Sequence, residues 1–317
     1  MKINDCVYGE KEINEPVLVE LINSLPVQRL KGISQYGLPR NYYHKEGYSR
    51  FEHSIGVLIL LRKMGAELKE QIAGLLHDVS HTAFSHVVDW VVGNDLKEDF
   101  QDKNHLNIIK NSEIPSILKK YGFDFNEISK LDDFSLLEKE MPDLCADRVD
   151  YTLRELKHDN EDVGFFILNL KNKDNEIIFS NLESGKKFCF EYLRLQREHW
   201  AGEQAKVRYY ILSNALKKAI EKKIICFDDL YNDDEFVLNI LEKSGDKEIL
   251  GFLDLLKGEL IIKESFEGIV LGKKFRHVDA FVDFRNKLKR VSELDSDYKN
   301  SLEKERKNST EERRVIF

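Results

Sequence analysis

The segment 50–89 constrains the fold most, because it places four histidines and several carboxylates beside apolar runs. The pair His77-Asp78 ends the apolar run 72–76, which predicts a buried helix with both polar side chains at its inner end. His53 lies 24 residues earlier, near the start of another apolar segment with helical spacing. Two antiparallel helices of this length would bring the two histidines side by side.

Two imidazoles and a carboxylate that meet in a dry interior indicate a metal site, because a bound cation compensates the buried charge. The mixed nitrogen and oxygen ligands suit Mn, Fe, Mg, Co, Ni or Zn, and ligand type does not choose among these metals. A histidine on a helix is, however, more often a hydrogen-bonded core residue. The metal interpretation therefore needs a further acid elsewhere in the chain.

Asp147 supplies that acid, in a segment whose apolar residues have helical spacing. One stripe of the predicted helix carries an acid, a phenol, a cation and a second acid, namely Asp147, Tyr151, Arg154 and Glu155. Such a face with an apolar back indicates the wall of a pocket. The alternative is an exposed face with an intrahelical ion pair.

The order of His53, His77-Asp78 and Asp147 resembles the H…HD…D signature of the HD superfamily of phosphohydrolases. The surrounding SRFEHSIGV, HDVSHTAFSH and ADRVDYTLRE are similar to one branch, the dNTP triphosphohydrolases, which include the sterile-alpha-motif HD enzymes and bacterial dGTP triphosphohydrolases. The likeness extends over residues 26–215. It implies a mainly α-helical HD-type bundle that hydrolyses a nucleotide phosphate with one divalent metal ion. The metal ligands that it implies are His53, His77, Asp78 and Asp147.

The resemblance also implies roles for residues around the metal. The histidines that would serve the phosphate chain and the leaving group are His81, His86 and His105. The residues implied on the substrate side are Gln35, Tyr36, Arg50, Arg148, Tyr151, Glu155 and Trp200. Gln35 would contact the sugar, with Tyr36 as its gate. Arg50 would reach a phosphate, which its guanidinium fork suits, and Trp200 would pack on the nucleoside.

Two positions depart from the family pattern at the phosphates. Family cations that bind phosphate fall at Glu191 and Glu203 in this chain. The candidates to take their place are Arg194, Arg197 and Lys206, and the sequence does not choose among them. Tyr36 also replaces a smaller apolar residue of the family, so the sequence does not determine which sugar the substrate contains.

The loop after His77 departs as well. Polar and small residues replace family glycines and a proline there, which predicts that the helix continues past His77. On such a helix His81, four residues later, would face the same side. His81 and His86 are then acid–base groups beside one metal, which we expect, or ligands of a second metal.

Composition and charge limit the partners and the cellular compartment that we expect for this chain. The chain has 317 residues, of which 42% are hydrophobic, so it can bury a full core. Its net charge of −8 makes nucleic acid an unlikely partner. No apolar stretch approaches the roughly 20 residues of a membrane span, so no membrane partner is expected. Reduced thiols in the cytoplasm are predicted from the scattered cysteines Cys6, Cys145, Cys189 and Cys226.

The patterns predict an HD phosphohydrolase domain over 1–225 and a C-terminal α+β portion with a charged tail over 226–317. The predicted parts of the first are a motif core at 26–160, a β-hairpin at 163–182 and a long helix at 190–222. Short strands are predicted in the second, including one within 272–284. Because the long helix has apolar positions on more than one side, we expect at least a homodimer.

The sequence thus predicts a metal-dependent hydrolase of nucleotide phosphates that resembles dNTP triphosphohydrolases. A phosphomonoesterase or cyclic-nucleotide phosphodiesterase with the same ligands is one alternative, which the departures at the phosphates favour. A nucleotide-sensing subunit without turnover is the alternative of another class, and the complete set of four ligands argues against it.

Overall fold

The computed structural model describes residues 1–94, 96–271, 274–311 and 313–317. The chain is mainly α-helical with small sheets, so the predicted fold class is confirmed. None of the described helices is both long and apolar enough to cross a membrane.

A hairpin precedes the first helix. Its strands are β1 (Lys2–Asp5) and β2 (Gly9–Glu12), which pair antiparallel. Pro16 then opens α1 (Pro16–Ile22), because the first turn of a helix does not need the N–H that proline lacks. A second short helix follows, α2 (Leu25–Arg29).

The centre of the bundle is α3 (Arg50–Lys63), with α4 (Leu68–Leu76) packed against it. A capping box starts α3, since Glu52 N donates to Ser49 Oγ at 3.2 Å while Ser49 N donates to Glu52 Oε2 at 2.8 Å. Every side chain from residue 53 to 61 is buried. The histidine of the first motif therefore belongs to the innermost helix.

Five further helices follow along the described part of the chain. They are α5 (Val87–Val91), α6 (Phe100–Lys110), α7 (Ile114–Lys120), α8 (Phe125–Ile128) and α9 (Ala146–His158). The last of these packs on α3. Gly56 permits this approach, because a Cβ at that position would collide with the Asp150 and Arg154 side chains of α9.

The helix predicted to continue past His77 does not do so. α4 ends at Leu76, and residues 78–86 form turns in which Phe84 and Ser85 adopt φ of 63° and 49°. Tertiary contacts outweigh the local pattern, since Arg29 donates to two carbonyl oxygens of these turns at 2.7 and 2.9 Å.

The hairpin predicted over 163–182 is shorter than expected. Its first part is a helix, α10 (Gly164–Asn169), and only β3 (Leu170–Lys173) and β4 (Glu176–Phe179) form strands. Asp174 and Asn175 both have positive φ, which the two-residue turn of a tight hairpin requires.

The long helix predicted over 190–222 is interrupted. It consists of α11 (Leu182–Leu195), a π-helical turn (Gln196–Trp200) and α12 (Glu203–Glu221). Gly202 stands at the break, where a Cβ would lie 2.6 Å from the Glu198 carbonyl oxygen. The apolar positions on both sides of α12 pack within the chain itself. They therefore do not provide the reason for dimerisation that the sequence offered.

The C-terminal portion combines helices and strands as predicted. Its elements are α13 (Asp234–Lys243), α14 (Lys247–Lys257), β5 (Lys263–Leu271), β6 (Phe281–Phe284), β7 (Lys287–Arg290), α15 (Val291–Leu294), α16 (Ser296–Ser309) and β8 (Arg313–Ile316). The strand predicted within 272–284 is β6, and positions 272 and 273 lie outside the described residues. The charged tail forms α16, whose Tyr298 is fully buried.

The two predicted portions share structure. A four-stranded sheet has the order β3-β4-β6-β7, with β4 and β6 parallel, so it takes strands from both. The division after residue 225 stays a prediction. β5 pairs separately with β8.

One contact between the portions positions the site. Asp234, the first residue of α13, is buried, and its carboxylate accepts from Ser34 N at 2.8 Å and from Phe84 N at 2.7 Å. One side chain thereby fixes the loop before α3 and the turns after α4.

Candidate active site

Three segments bring nitrogen and oxygen donors to one point. His53 lies in the first turn of α3, His77 follows α4, and Asp147 begins α9. His53 Nε2 lies 3.2 Å from His77 Nε2 and 2.8 Å from Asp147 Oδ1. His77 Nε2 lies 3.5 Å from the same carboxylate oxygen.

The far nitrogen of each imidazole is held by the protein. His53 Nδ1 lies 2.8 Å from Asp150 Oδ2, and His77 Nδ1 lies 2.7 Å from the Gly74 carbonyl oxygen. Because a carboxylate and a carbonyl accept, these contacts assign the proton of each neutral ring to Nδ1. Each Nε2 lone pair then faces the other ring and the Asp147 carboxylate, and these groups repel one another unless positive charge lies among them.

The pKa values follow the same electrostatics. Burial alone would lower the pKa of His77, but the carboxylates of Asp78 and Asp147 raise it to about 9. Burial would likewise raise the pKa of Asp147, but His53 and His77 hold it well below its usual range. The site is therefore built to attract a cation.

The donors fit a divalent metal ion. Around a cation with bonds of about 2.1 Å, donors at right angles lie about 3 Å apart, which is close to the separations seen here. His53, His77 and Asp147 form a group that could hold such an ion. Asp78 lies beside them, with Oδ1 3.5 Å from His77 Nε2 and Oδ2 3.9 Å from His53 Nε2.

Arg50 orients the Asp78 carboxylate. Its Nη1 donates to Asp78 Oδ2 at 2.6 Å, and its Nε donates to Ser85 Oγ at 2.7 Å. Burial would raise the pKa of Asp78, but the Arg50 charge holds it well below the usual range. The acid of the His-Asp pair is therefore ionised and fixed in direction.

Sequence reasoning missed the residues behind His53. Asp150, whose carboxylate accepts the hydrogen bond from His53 Nδ1, is fully buried and also accepts from Arg154 Nε at 3.1 Å and Nη2 at 3.0 Å. Arg154 Nη2 donates in turn to Asp5 Oδ2 at 3.0 Å. Asp150 and Arg154 are four residues apart, a helical spacing that could have shown the pair.

Arg154 was predicted to face the pocket, and this was wrong. Its guanidinium is fully buried behind His53, where Asp150 and Asp5 neutralise it. At position i+7, Arg154 is turned only about 20° from Asp147 around the helix axis, toward the side that carries Asp150. Its guanidinium therefore packs against Asp150 and Asp5 and does not line the cavity.

The three other predicted histidines lie in the turns and helices next to the donors. His81 Nε2 lies 3.2 Å from Asp78 Oδ1, and its ring packs edge-on to His86 at 5.0 Å. His86 is the more exposed of these two and its Nδ1 lies 3.2 Å from Asp89 Oδ2. His105 Nδ1 lies 3.2 Å from Ser80 Oγ, while its Nε2 is buried without a partner among the described residues.

A cavity of about 730 Å³ adjoins this centre. Its wall includes the predicted histidines His81, His86 and His105, and all predicted substrate-side residues, Gln35, Tyr36, Arg50, Arg148, Tyr151, Glu155 and Trp200. Within the described chain, Gln35 Oε1 and the Tyr36 hydroxyl are buried without hydrogen-bond partners, so they are free to bind another molecule. Arg148 is partly engaged, since its Nη1 donates to the Asp143 carbonyl oxygen.

Aromatic side chains surround one end of the cavity. Glu155 is buried there, and its two oxygens accept from His199 Nδ1 and, at 2.7 Å, from Trp200 Nε1. His199 Nε2 lies 2.7 Å from the Tyr43 hydroxyl, and the Tyr36 ring packs edge-on against the His199 ring. Sequence reasoning missed His199, which reaches this position through the π-helical turn.

Glu138 was also missed. It lines the cavity, and burial together with the nearby Asp147 carboxylate raises its pKa to about 8. Glu138, Cys145 and Asp147 form another group that could hold an ion. Burial raises the pKa of the Cys145 thiol, so without an ion its sulfur is neutral and this group attracts a cation less than the first one does.

Two of the cations proposed to replace the family phosphate ligands lie outside the cavity wall. Arg194 pairs with Glu191, and Arg197 pairs with Glu198 and Glu305. The third, Lys206, is buried with its Nζ 3.2 Å from Glu98, a residue of the wall. The cavity wall instead contains Lys274 and Arg276 from the C-terminal portion, which the sequence did not indicate.

Comparisons with known proteins agree with this geometry. Residues 50–152 match the family model described as HD domain. The chain is 40% identical over 286 residues to the uncharacterized protein YdhJ of Bacillus subtilis. The aligned region covers 88% of this chain and 87% of YdhJ. A crystal structure of a hypothetical protein from Aquifex aeolicus has a TM-score of 0.68 and 21% identity, over 94% of this chain and 93% of its own, and so shares the fold.

Two relatives with named activities match over shorter stretches. The metal-dependent phosphohydrolase cns2 of Cordyceps militaris is 42% identical over 153 residues, which is 48% of this chain and 44% of that protein. The deoxynucleoside triphosphate triphosphohydrolase SAMHD1 of Gallus gallus is 39% identical over 105 residues, or 28% of this chain and 17% of that protein. In both cases the match spans less than half of the relative.

The carboxylate behind His53 gives a test of the centre. Replacing Asp150 with Asn should lower metal affinity by about 10–100-fold, because the amide no longer fixes the Nδ1 proton or strengthens Nε2 as a ligand. Chelator competition and elemental analysis of the purified variant would measure this. Asp254→Asn, on the exposed face of α14, is the control and should bind metal normally. Unchanged affinity in a folded Asp150→Asn protein would contradict the assignment.

Proposed function

The chain belongs to the HD domain family as a metal-dependent phosphohydrolase, and we propose that its substrate is a (deoxy)nucleoside triphosphate. In this proposal the metal ion is held by His53, His77, Asp78 and Asp147. The reaction is attack of water on the phosphate next to the nucleoside, with release of a nucleoside and tripolyphosphate. The same four residues would hold Mn, Fe, Mg, Co, Ni or Zn.

The observation that carries this proposal is one cavity that adjoins the metal donors and also reaches an aromatic end with hydrogen-bonding groups. Histidines and cations line it near the donors, whereas Tyr36, Trp200 and His199 surround Glu155 at the other end. A volume of about 730 Å³ suits a ligand with both a charged chain and a flat ring. A nucleotide has both parts.

Each group of residues has a distinct role. A bound divalent cation polarises a phosphate oxygen and lowers the pKa of its water. Asp150 and Gly74 hold the two imidazoles in the tautomer that presents Nε2 to the cation, and Arg50 holds Asp78. The ligands are thus fixed before substrate binds, which reduces the rearrangement needed in the reaction.

His86 is the proposed general acid for the leaving oxygen. Asp89, itself buried, holds His86 Nδ1, which directs Nε2 away from that carboxylate, and the ring lines the cavity. His81 is the proposed positioning partner, since it lies between Asp78 and His86. His105 would offer its buried Nε2 to the phosphate chain.

The nucleoside would bind at the aromatic end. Trp200 and Tyr151 pack edge-on at 5.1 Å and form one side of the space. Gln35 and Tyr36, whose polar atoms have no partner in the described chain, would bind the sugar. Glu155 would act mainly by holding His199 and Trp200, because both of its oxygens already accept from them.

One observation favours the alternative of a substrate with fewer phosphates. Among the described lining residues, eight carboxylates face five lysines and arginines. Glu138 is neutral below its raised pKa of about 8, so near pH 7 the wall carries a net charge of −2. One divalent ion brings this charge to zero, which suits a phosphomonoester or a cyclic diester better than a triphosphate. A further cation that enters with the substrate would remove this difference.

Product analysis discriminates between these functions. With Mn²⁺ added, the purified protein should convert dNTPs into nucleosides and inorganic tripolyphosphate, and EDTA should abolish the reaction. Chromatography of a panel of nucleoside mono-, di-, tri- and cyclic phosphates would identify the products. Orthophosphate from monophosphates, or opening of a cyclic ester, would establish the alternative, and no turnover with any metal would contradict both.

A histidine substitution tests the proposed acid. His86→Ala should lower the single-turnover rate by about 10²–10⁴-fold, the usual loss for a general acid, and leave metal content unchanged. His158→Ala, at the end of α9 and outside the cavity wall, is the matched control and should keep its rate. If metal content falls with activity in His86→Ala, His86 is instead a ligand of a second metal ion.

We also propose that the chain forms at least a homodimer. Exposed apolar side chains in and beside the β5–β8 sheet support this, namely Ile261, Phe266, Val270, Ile316 and Phe317. Light scattering at micromolar concentration should give at least twice the chain mass of 37.1 kDa. A mass equal to one chain would contradict the proposal.

A further inference from the structure

Residues 274–280 lead into β6 without regular secondary structure, and we call them the strap, because two of them line the cavity. Hydrogen bonds to other segments hold the strap near both of its ends. Gln196 Nε2 donates to the Lys274 carbonyl oxygen at 2.7 Å, and Asp279 N donates to the Pro142 carbonyl oxygen at 2.9 Å. Val278 and Ala280 are fully buried. The strap therefore holds its cations in fixed places rather than on a loose loop.

Two strap cations enter the cavity wall, Lys274 and Arg276. Arg276 Nη2 is paired with Glu98, a buried carboxylate that also lies 3.2 Å from Lys206 Nζ. Among the described residues, Glu98 is the acceptor recorded for Arg276, through Nη2 alone. The Nε and Nη1 groups of this guanidinium thus remain for another acceptor.

The region around the strap is less acidic than the rest of the cavity wall. Its three cations, Lys206, Lys274 and Arg276, face three carboxylates, which are Glu98, Asp102 and Asp89. In the rest of the wall, carboxylates outnumber lysines and arginines. Burial, and after it the Arg276 charge, lower the pKa of Lys274, as expected for two cations held close together. Such a pair is stabilised when an anion lies between its members.

We propose that Arg276 and Lys274 bind the phosphate chain of the substrate, with Glu98 as the residue that positions Arg276. This inference rests on the proposed function, because it assigns the part of the nucleotide that the strap contacts. His86 connects the two regions, since it lines the same cavity as Glu98 while its ring packs on His81. The phosphate chain then runs from the metal donors past these histidines to the strap.

The strap also supplies cations that this chain lacks at the positions where the family binds phosphate. The positions that resemble family phosphate ligands are Glu191 and Glu203, and both are engaged outside the cavity wall, with Arg194 and Arg313. A guanidinium can bind two phosphate oxygens at once, so Arg276 suits this task better than a lysine would. The C-terminal portion thereby determines how many phosphates the site accepts.

Arg276→Met is the direct test. In the Mn²⁺-loaded protein, with Mn²⁺ in excess, inorganic tripolyphosphate should inhibit or bind about 10–100-fold more weakly, because a charged bidentate contact is lost. The KM for a triphosphate should rise while kcat changes much less. Lys274→Met should weaken binding by about 3–10-fold, as expected for a single charge contact, and Arg276→Lys should restore part of the loss.

The control is Arg197→Met, an exposed arginine whose ion pairs lie outside the cavity wall. It should bind tripolyphosphate like the unmodified protein. Unchanged tripolyphosphate binding in folded Arg276→Met would overturn the proposal and leave the arginine a structural partner of Glu98. If Arg276→Met does not fold, Lys274→Met and Arg276→Lys decide in the same way, weakened binding supporting the strap and unchanged binding overturning it.

These measurements separate the strap from the proposed function. If nucleotides are not hydrolysed but tripolyphosphate binding still falls in the strap variants, the phosphate site stands and the proposed substrate fails. If triphosphates are hydrolysed and Arg276→Met keeps the original KM, the function stands and the strap assignment fails.

Discussion

The structure depends on two imidazole nitrogens and one carboxylate that the surrounding protein holds close together in the interior. His53 and His77 cannot turn away from each other, because Asp150 and Gly74 hold their far nitrogens. Asp147 lies against both. Positive charge makes this arrangement favourable, so a bound metal ion would stabilise the fold as well as supply chemistry. Gly56 contributes to the same arrangement, because the absence of a Cβ lets α9 approach α3 closely enough for Asp150 to contact His53.

The sequence predicted the helices that carry His53 and Asp147, and the helix that ends just before His77, because their apolar periodicity is strong and local. It could not predict the turns after His77, where Arg29 and Asp234 from distant segments determine the backbone. The wrong assignment of Arg154 has a similar cause. Spacing alone places a side chain on a stripe, but the burial of Asp150 and Asp5 decides which edge of the stripe faces the cavity.

The cations of the site show a second limit of sequence reasoning. Arg276 is more than 120 residues beyond Asp147 along the chain, in a segment with no motif. It reaches the cavity because β6 pairs in parallel with β4 and α16 buries Tyr298 against the strap, whose Val278 carbonyl accepts from the Tyr298 hydroxyl. Only the paired sheet and this packing put Arg276 opposite the histidines. The family resemblance, which ends near residue 215, does not extend to it.

The contact of Asp234 with Ser34 and Phe84 has a consequence for how the molecule is made. It closes a loop of 200 residues, and such closure is among the slowest and entropically most costly steps of folding. On the ribosome, the metal ligands are synthesised well before residues 234 and 276. A nascent chain can thus bring His53, His77 and Asp147 together early. The turns that carry Asp78, and the walls that select and hold a substrate, are completed only near the end of translation. The order of synthesis therefore means that a chain still on the ribosome lacks a complete substrate-binding site.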